Sequence, residues 1–286
     1  MNSNSTNQES WDIVIKPAHG WFNINFKEII QYWGLILLFV RRDFVVFYKQ
    51  TILGPLWYII QPLANTLVFT IIFGKVAKIP TDGFPPFIFY LSGTVVWSYF
   101  SFCLNQTGRT FVANAAVFGK VYFPRITVPI SIAITAVFQF LIQFMIFIGF
   151  FFYFWQSGVE IRPNIYMLTL PLIVLHMSVL SVGLGLLISA ATAKYRDLTY
   201  AMGFLVQLWM YMTPVVYPLS EVPDRFKILI LLNPMTAVVE SFRGAFLGQS
   251  SLTPQVLLLS VSLTILLFIG GIIIFSRVEK TFMDTV

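Results

Sequence analysis

The sequence predicts an all-α polytopic membrane protein with six transmembrane helices. Three observations carry that prediction. Of 286 residues, 57% are apolar and 10% charged, against about 25% charged in a soluble domain, so there are too few charges to cover a water-facing surface. Six stretches without Asp, Glu, Lys or Arg exceed the roughly 20 apolar residues that cross a hydrocarbon core: Gln50–Gly74, Gly83–Gly108, Ile126–Val159, Pro163–Ala193, Leu198–Ser220 and Gly244–Ser276. Each is too long and too continuously apolar to be a barrel strand, which alternates over about ten residues.

In chain order, residues 1–54 form an N-terminal segment, 55–276 the six-span domain and 277–286 a tail. The opening residues are polar and lack the short apolar core and small-residue cleavage site of a cleavable signal. Ile29–Val40 is charge-free but, at 12 residues, too short to span. With Lys27, Glu28 and Gln31 near its start, it predicts an amphipathic helix lying in the membrane interface over about 26–40. A second 12-residue run, Ile228–Val239, falls between spans five and six in a segment bracketed by Pro218, Pro223 and Pro234. It predicts short helices that dip into the membrane from one side, where irregular backbone has to be buried in protein or line a wet cavity.

Lys and Arg bias sets the orientation. An inside N-terminus places Lys16, Lys27, Arg41, Arg42, Lys49, Arg109, Lys120, Arg125, Lys194, Arg196, Arg277 and Lys280 on the inner side, which is 12. Lys75, Lys78, Arg162, Arg225, Lys227 and Arg243 are left outside, which is 6. Both termini are therefore expected in the cytoplasm.

The composition excludes several classes. The net charge of +6 is spread between apolar runs rather than clustered on a polar face as in nucleic-acid binders. Neither Gly74-Lys75-Val76 nor Gly119-Lys120-Val121 has the Gly-rich turn and following Ser or Thr of a phosphate-cradling loop. No His, Cys, Asp and Glu cluster has metal spacing, and the lone Cys103 cannot form an internal disulfide. That six charge-free windows exist leaves no span that must contain a charge, whereas ion-coupled transporters place ionisable groups inside their spans. The energy source is expected outside the membrane region. His176 in span four reads as a proton relay or, more simply, as an interhelical hydrogen-bond partner. Ser181, Gly185 and Ser189 share one face of that span at close-packing spacing.

Several segments resemble a known family. Arg41-Arg42-Asp43-Phe44, Tyr48-Lys49-Gln50-Thr51-Ile52-Leu53-Gly54-Pro55-Leu56-Trp57 and Gln61-Pro62 are similar to the entry to the first span of ABC-2-type permeases that export bacterial polysaccharides. Gly119-Lys120-Val121-Tyr122-Phe123-Pro124-Arg125, Tyr195-Arg196-Asp197-Leu198, Met212-Thr213-Pro214-Val215-Val216-Tyr217-Pro218 and Asn233-Pro234-Met235 follow in the family's order. The resemblance runs from about residue 15 to the end and is strongest to the O-antigen and lipopolysaccharide type. Capsule and teichoic acid exporters have similar motifs, and an ABC-2 exporter of another lipid or drug is the alternative.

The resemblance implies a homodimer with a channel between protomers, in the bacterial inner membrane. It also implies two copies of a cytoplasmic ATPase that bind ATP and Mg, and a polysaccharide carried on undecaprenyl diphosphate. This chain itself would hold no cofactor, metal or nucleic acid and no catalytic residue. Arg109, Phe111, Phe118, Lys120, Tyr122, Phe123 and Arg125, with Arg196 and Asp197, would contact the ATPase; an interfacial helix on anionic lipid is the simpler reading of that loop. Arg41, Arg42, Asp43, Tyr48 and Lys49 would anchor the chain or meet the lipid diphosphate, to which Arg pairs in bidentate fashion. Trp57, Tyr58, Phe69, Tyr90, Trp97, Tyr99, Trp209, Tyr211 and Tyr217 would give sugar rings apolar faces to slide on, or else form core and interfacial belts. Pro218, Pro223, Asn233 and Pro234 would belong to a periplasmic gate.

Overall fold

A computed structural model describes residues 26–49, 52–161, 164–248 and 250–281. Residues 1–25, including Lys16 and His19, lie outside the described residues, as do Gln50 and Thr51 of the first motif, Arg162, Pro163 and residues 282–286 of the tail.

The described chain is helical throughout, with no strand among the described residues. Its helices are α1 (Phe26–Gln31), α2 (Trp33–Lys49), α3 (Trp57–Phe69, continued by a π-helical turn Thr70–Val76), α4 (Pro86–Gly108), α5 (Thr110–Phe118) and α6 (Thr127–Gln156). A 3₁₀ turn, Ile165–Thr169, leads into α7 (Leu170–Lys194). Then follow α8 (Leu198–Tyr211), α9 (Asp224–Leu231), α10 (Pro234–Phe246) and α11 (Pro254–Thr281).

Five of these helices are long and apolar enough to cross a membrane: α3 with its π turn, α4, α6, α7 with its leading turn, and α11. The predicted fifth span differs, because α8 has only 14 residues, about 21 Å of helix. Its sequence explains the early stop. Pro214 and Pro218 lack the N–H that a continuing helix needs, and each pushes the residue before it out of the α region.

The segment nevertheless crosses. Near one end of α4, Met202 approaches Gly108. Further along, the Trp209 ring meets Phe100 edge-on at 5.4 Å. Val215 lies against Gly93, and Ser220 Oγ donates to Asp82 Oδ1 at 2.7 Å, just before α4 begins. Residues 198–220 therefore travel the whole length of α4, first as helix and then as a run of turns. The bundle has six passages, with an α5 end and an α10 end.

At the α10 end, α9 and α10 form a pair bent by 95°. The carbonyl of Pro234 accepts from Ser260 Oγ at 2.9 Å, six residues into α11, so the bend reaches below the end of the bundle. A pair of short helices, sharply bent, is present where it was expected.

Where one helix is expected over 26–40, there are two, α1 and α2, parted at Tyr32, and the second extends beyond the expected end. α2 runs on through Lys49, and within it Arg42 pairs with Asp43 at 2.8 Å and lies over the Phe39 ring at 4.8 Å. It packs along α6 through Phe39–Phe123 and Phe44–Phe138.

α4 is the hub. In its apolar window, 78% of residues are buried, against 17% in α3 and in α11. Small residues bring the backbones together. A Cβ on Gly185 would sit 2.5 Å from Thr107 Cβ, and one on Gly183 would sit 2.7 Å from Phe268 Cα. The Ser181–Gly185–Ser189 stripe thus packs α7 within the protomer, where Ser189 Oγ accepts from the Phe111 N–H at 3.4 Å. His176 Nε2 lies 3.0 Å from Thr264 Oγ1 and 3.2 Å from Ser260 Oγ, an interhelical hydrogen-bond partner between α7 and α11.

Overpacking a tight core contact costs about 1–3 kcal/mol. Gly183→Val is therefore expected to lower the thermal unfolding temperature of the detergent-solubilised protein. The same change at Gly203, where a Cβ meets nothing within 4 Å, is expected to leave it nearly unchanged.

Candidate functional site

The α5 end presents a two-sided helix. Phe111 and Phe118 are buried. The Phe111 ring stacks on Phe275 at 4.6 Å, and Phe118 meets Phe123 at 5.7 Å. Arg125 lies over the Phe118 ring at 5.3 Å and donates from Nη1 to the Glu279 carbonyl at 2.6 Å. Burial lowers the pKa of Arg125, and the Glu279 carboxylate opposes that shift.

Among the residues expected to contact an ATPase, then, Phe111, Phe118, Phe123 and Arg125 instead fasten α5 and its loop to α11 and α2. The physical reason is that an aromatic face beside a helical bundle is covered by its own chain first. What stays exposed is Arg109, Val112, Val117, Lys120, Val121 and Tyr122. Arg196 and Asp197 are exposed in the turn beyond α7, and Asp197 Oδ1 caps α8 by accepting the Leu198 N–H at 3.0 Å. Arg41, Arg42 and Lys49 are exposed on α2, and Asp43 is half-buried. Tyr48 belongs to α2, and its side chain lies outside the described residues.

The nine aromatics expected along a glycan path separate into two groups. Tyr58, Tyr90, Trp97 and Tyr99 are core, with 7%, 0%, 6% and 1% of their surface exposed. Tyr99 Oη and Ser178 Oγ are hydrogen-bonded at 2.6 Å, and Tyr90 meets Phe69 edge-on at 6.5 Å. In this structure these four have no free face for a sugar. Trp57 and Tyr211 are exposed, while Phe69, Trp209 and Tyr217 are partly covered. Sequence reading missed Tyr200 and Phe204, exposed by 89% and 64% on α8. Their spacing of four, with Tyr211 seven beyond Phe204, was the available signal.

The exposed sides of α3 and α8 are each divided lengthwise. On α3, Trp57, Gln61, Asn65 and Val68 follow one flank, and Ile60, Leu67 and Ile71 the other. On α8, Tyr200, Gly203, Gln207 and Tyr211 follow one flank, and Leu205, Leu208 and Met212 the other. An amide left without hydrogen bonds in hydrocarbon costs about 4–8 kcal/mol, so the polar flanks are not suited to lipid.

The α10 end holds a buried ionic knot that sequence reading missed. Arg243, expected in an outside loop, is 3% exposed, and Glu240 is 4% exposed. Arg243 Nη1 lies 3.5 Å from Glu240 Oε1 and donates to the Pro214 carbonyl. Its Nη2 donates to the Val215 carbonyl at 2.8 Å, and its Nε to Ser92 Oγ at 3.3 Å. The guanidinium lies 3.8 Å above the Phe89 ring. Glu240 Oε2 also accepts the Ser251 N–H at 3.3 Å.

On its other side, α10 sets Phe242 and Phe246 among Phe144, Phe147 and Phe151 of α6, with Phe147–Phe242 at 5.1 Å. The four expected gate residues divide accordingly. Pro234 and Pro218 are buried, and Asn233 caps α10 and donates to Thr213 Oγ1 at 2.8 Å. Pro223 is exposed ahead of α9, a helix with no buried residue. Of the two short helices expected as a lid, α10 is core and α9 alone is superficial.

The model of the ABC-2 type transporter family matches residues 34–247. The chain belongs to that family. The matched region of this ABC-2 transporter runs from α2 through α10 and includes the Arg243 knot. Among curated proteins, the chain is 25% identical over 264 residues to "O-antigen export system permease protein RfbA" of Myxococcus xanthus, covering 91% of this chain and 98% of that one. It is 25% identical over 253 residues to the protein of the same description from Klebsiella pneumoniae, covering 88% and 95%. It is 28% identical over 221 residues to "Polysialic acid transport protein KpsM" of Escherichia coli, covering 76% and 83%.

Removing one partner of a buried ion pair costs about 3–5 kcal/mol. Arg243→Met leaves the Glu240 carboxylate without its cation and two carbonyls unpaired, so it is expected to unfold the protein at markedly lower temperature than Glu240→Gln, whose amide oxygen still accepts from the guanidinium. A thermal unfolding series on the purified protein ranks the two.

Proposed function

We propose that this chain is the membrane permease of an ATP-driven exporter that moves an O-antigen-type polysaccharide, linked to undecaprenyl diphosphate, from cytoplasm to periplasm. The observation that carries the reading is near full-length similarity to two O-antigen export permeases. The α5 end is the cytoplasmic one, in keeping with its Arg109, Lys120, Arg196, Arg277 and Lys280, and the Lys and Arg bias assigns both termini to the same side. Two copies of the chain face each other across a path for the polymer. The polar and aromatic flanks of α3 and α8 are the surfaces suited to it, and Arg41, Arg42 and Lys49 are placed to meet the lipid diphosphate. A separate ATPase, two copies per complex, binds ATP and Mg and docks against the exposed Val112, Val117, Lys120, Val121 and Tyr122. Its closure pushes on α5, and the aromatic clasp of Phe111, Phe118 and Phe123 passes that movement to α11 and α2.

A capsule-type polysaccharide is the second reading, favoured by the similarity to the polysialic acid transport protein. The two are separated by which surface polymer is lost.

Deleting the chain is expected to abolish a surface polysaccharide while lipid-linked glycan accumulates inside, as read on polysaccharide gels and by lipid extraction. An unchanged surface polymer overturns the reading. The docking surface is tested separately. Val117→Glu combined with Tyr122→Ala is expected to lower the amount of ATPase copurifying with the permease by about 10-fold or more, with the permease still folded.

A further inference from the structure

α6 carries two amides at the centre of its length. Counted from Thr127, Gln139 and Gln143 are the 13th and 17th of its 30 residues, so each lies about 18–26 Å of helix from either end. Gln143 is 1% exposed, and Gln139 is half-buried. Four residues apart, they project from one side of the helix. Phe140 and Phe147 flank Gln143 on the buried face, one turn to either side. The Phe140 ring meets Tyr99 of α4 at 6.1 Å, and Phe147 meets Phe242 of α10 at 5.1 Å. Gln143 therefore sits inside the protomer, among aromatic rings, at a depth where hydrocarbon supplies no water.

Neither Nε2 nor Oε1 of Gln143 has a hydrogen-bond partner among the described residues, and the buried Oε1 of Gln139 has none either. Other polar side chains of the bundle are served by their own helix. Ser131 and Thr135 donate to the carbonyls of Val128 and Ser131, and Asn105 and Asn114 donate from Nδ2 to carbonyls four residues back. A buried amide without partners is strongly unfavourable in an apolar interior, so Gln143 marks a position that something polar completes. The ligand is neutral: α3, α4 and α6 contain no charged residue, and Arg243 and Glu240 of α10 are paired with each other. It both donates and accepts, since it meets one amide donor and two amide acceptors within about one turn of helix. Water is the smallest molecule that does so, and these atoms supply the roughly two to four polar partners that hold a water in a protein interior.

We propose that Gln139 and Gln143 form a buried water site at mid-membrane. One water accepts from Gln143 Nε2 and donates to Gln139 Oε1, and a neighbouring water donates to Gln143 Oε1. The site belongs to the packed side of α6, so it serves the fold and is independent of what the chain exports. It fixes the rotation of α6 in the bundle, because turning that helix moves both amides off their waters and against aromatic rings or hydrocarbon.

Two measurements on the full-length permease in lipid nanodiscs test this. Radiolysis generates hydroxyl radicals from bound water in place, and so labels rings beside that water even where they are buried. At a dose that leaves the equally buried Phe100 and Phe275 unmodified, Phe140 and Phe147 are expected to gain oxygen, as read by mass spectrometry. They are expected to lose that label when Gln139→Leu and Gln143→Leu are combined. In thermal unfolding, Gln139→Leu and Gln143→Leu alone are each expected to lower the midpoint by about 2–4 °C, because each leaves the other amide without its bridge. The double variant is expected to regain most of that loss. The label in the unmutated protein is read whether or not any variant folds, and its absence from Phe140 and Phe147 overturns the proposal. A recovered double variant without labelling identifies a direct, dry bond between the two amides. Single Leu variants that raise the midpoint identify amides that are simply unpaired. Either outcome overturns bound water.

Discussion

Everything unusual about this bundle depends on one guanidinium. Between Pro214 and Pro218 the chain crosses the α10-side part of an apolar bundle in turns rather than in regular helix, because the two prolines cannot continue a helical ladder. Carbonyls left unpaired there are strongly unfavourable. Arg243 satisfies those of Pro214 and Val215, donates from Nε to Ser92 and pairs with Glu240. A Lys could not do this, because its compact ammonium lacks the planar fork that reaches several acceptors at once. α10 is buried on all sides because it delivers this group, and the phenylalanines of α6 hold it in place.

That arrangement makes α4 the reference line of the protomer. The same helix receives Arg243 at Ser92 and Phe89, the run of turns at Gly93, α3 at Thr94, α8 at Phe100 and α7 at Thr107. Helices in lipid gain nothing from excluding water between them, so they associate by close packing and interhelical hydrogen bonds. The contacts of Gly183 and Gly185 and the His176–Thr264–Ser260 group are of those kinds. α3, α8 and α11 sit at the periphery of this frame with broad exposed faces, and those are the surfaces left for lipid, a second copy or cargo.

The coarse fold was legible because hydrocarbon imposes a length and a polarity on every crossing. Charge-free windows therefore marked the six passages and the bent pair. Other features were illegible for identifiable reasons. A charge-free window cannot tell a helix from a helix continued by turns, so the stop at Tyr211 needed the prolines to be weighed as breakers. Arg243 was read as an outside-loop charge, because window counting places every ion between the spans and cannot see that Glu240, three residues away, neutralises it within the fold. Aromatic residues were over-assigned to cargo. Period alone does not distinguish Tyr90, which faces α3, from Tyr200, which faces outward; only the packing of a third helix decides it.

The two ends of the molecule therefore differ in what can move. At the α10 end, the helix pair divides into a member fixed by an ion pair, three carbonyl or hydroxyl acceptors and a phenylalanine cluster, and a member, α9, with no buried residue at all. Any opening there that preserves the Arg243 contacts has to be carried by α9 and the segments joining it, Leu219–Pro223 and Leu232–Asn233. At the α5 end, the aromatic clasp makes α5, α11 and α2 move together, because separating them would unstack Phe111 from Phe275 and Phe123 from Phe39. A push on the exposed side of α5 would thus reach α2 and α11 rather than be absorbed locally. Lying next to α2 in the chain, α3 is the crossing best placed to shift in response, and it is also the one that carries Gln61 and Asn65 on its polar flank.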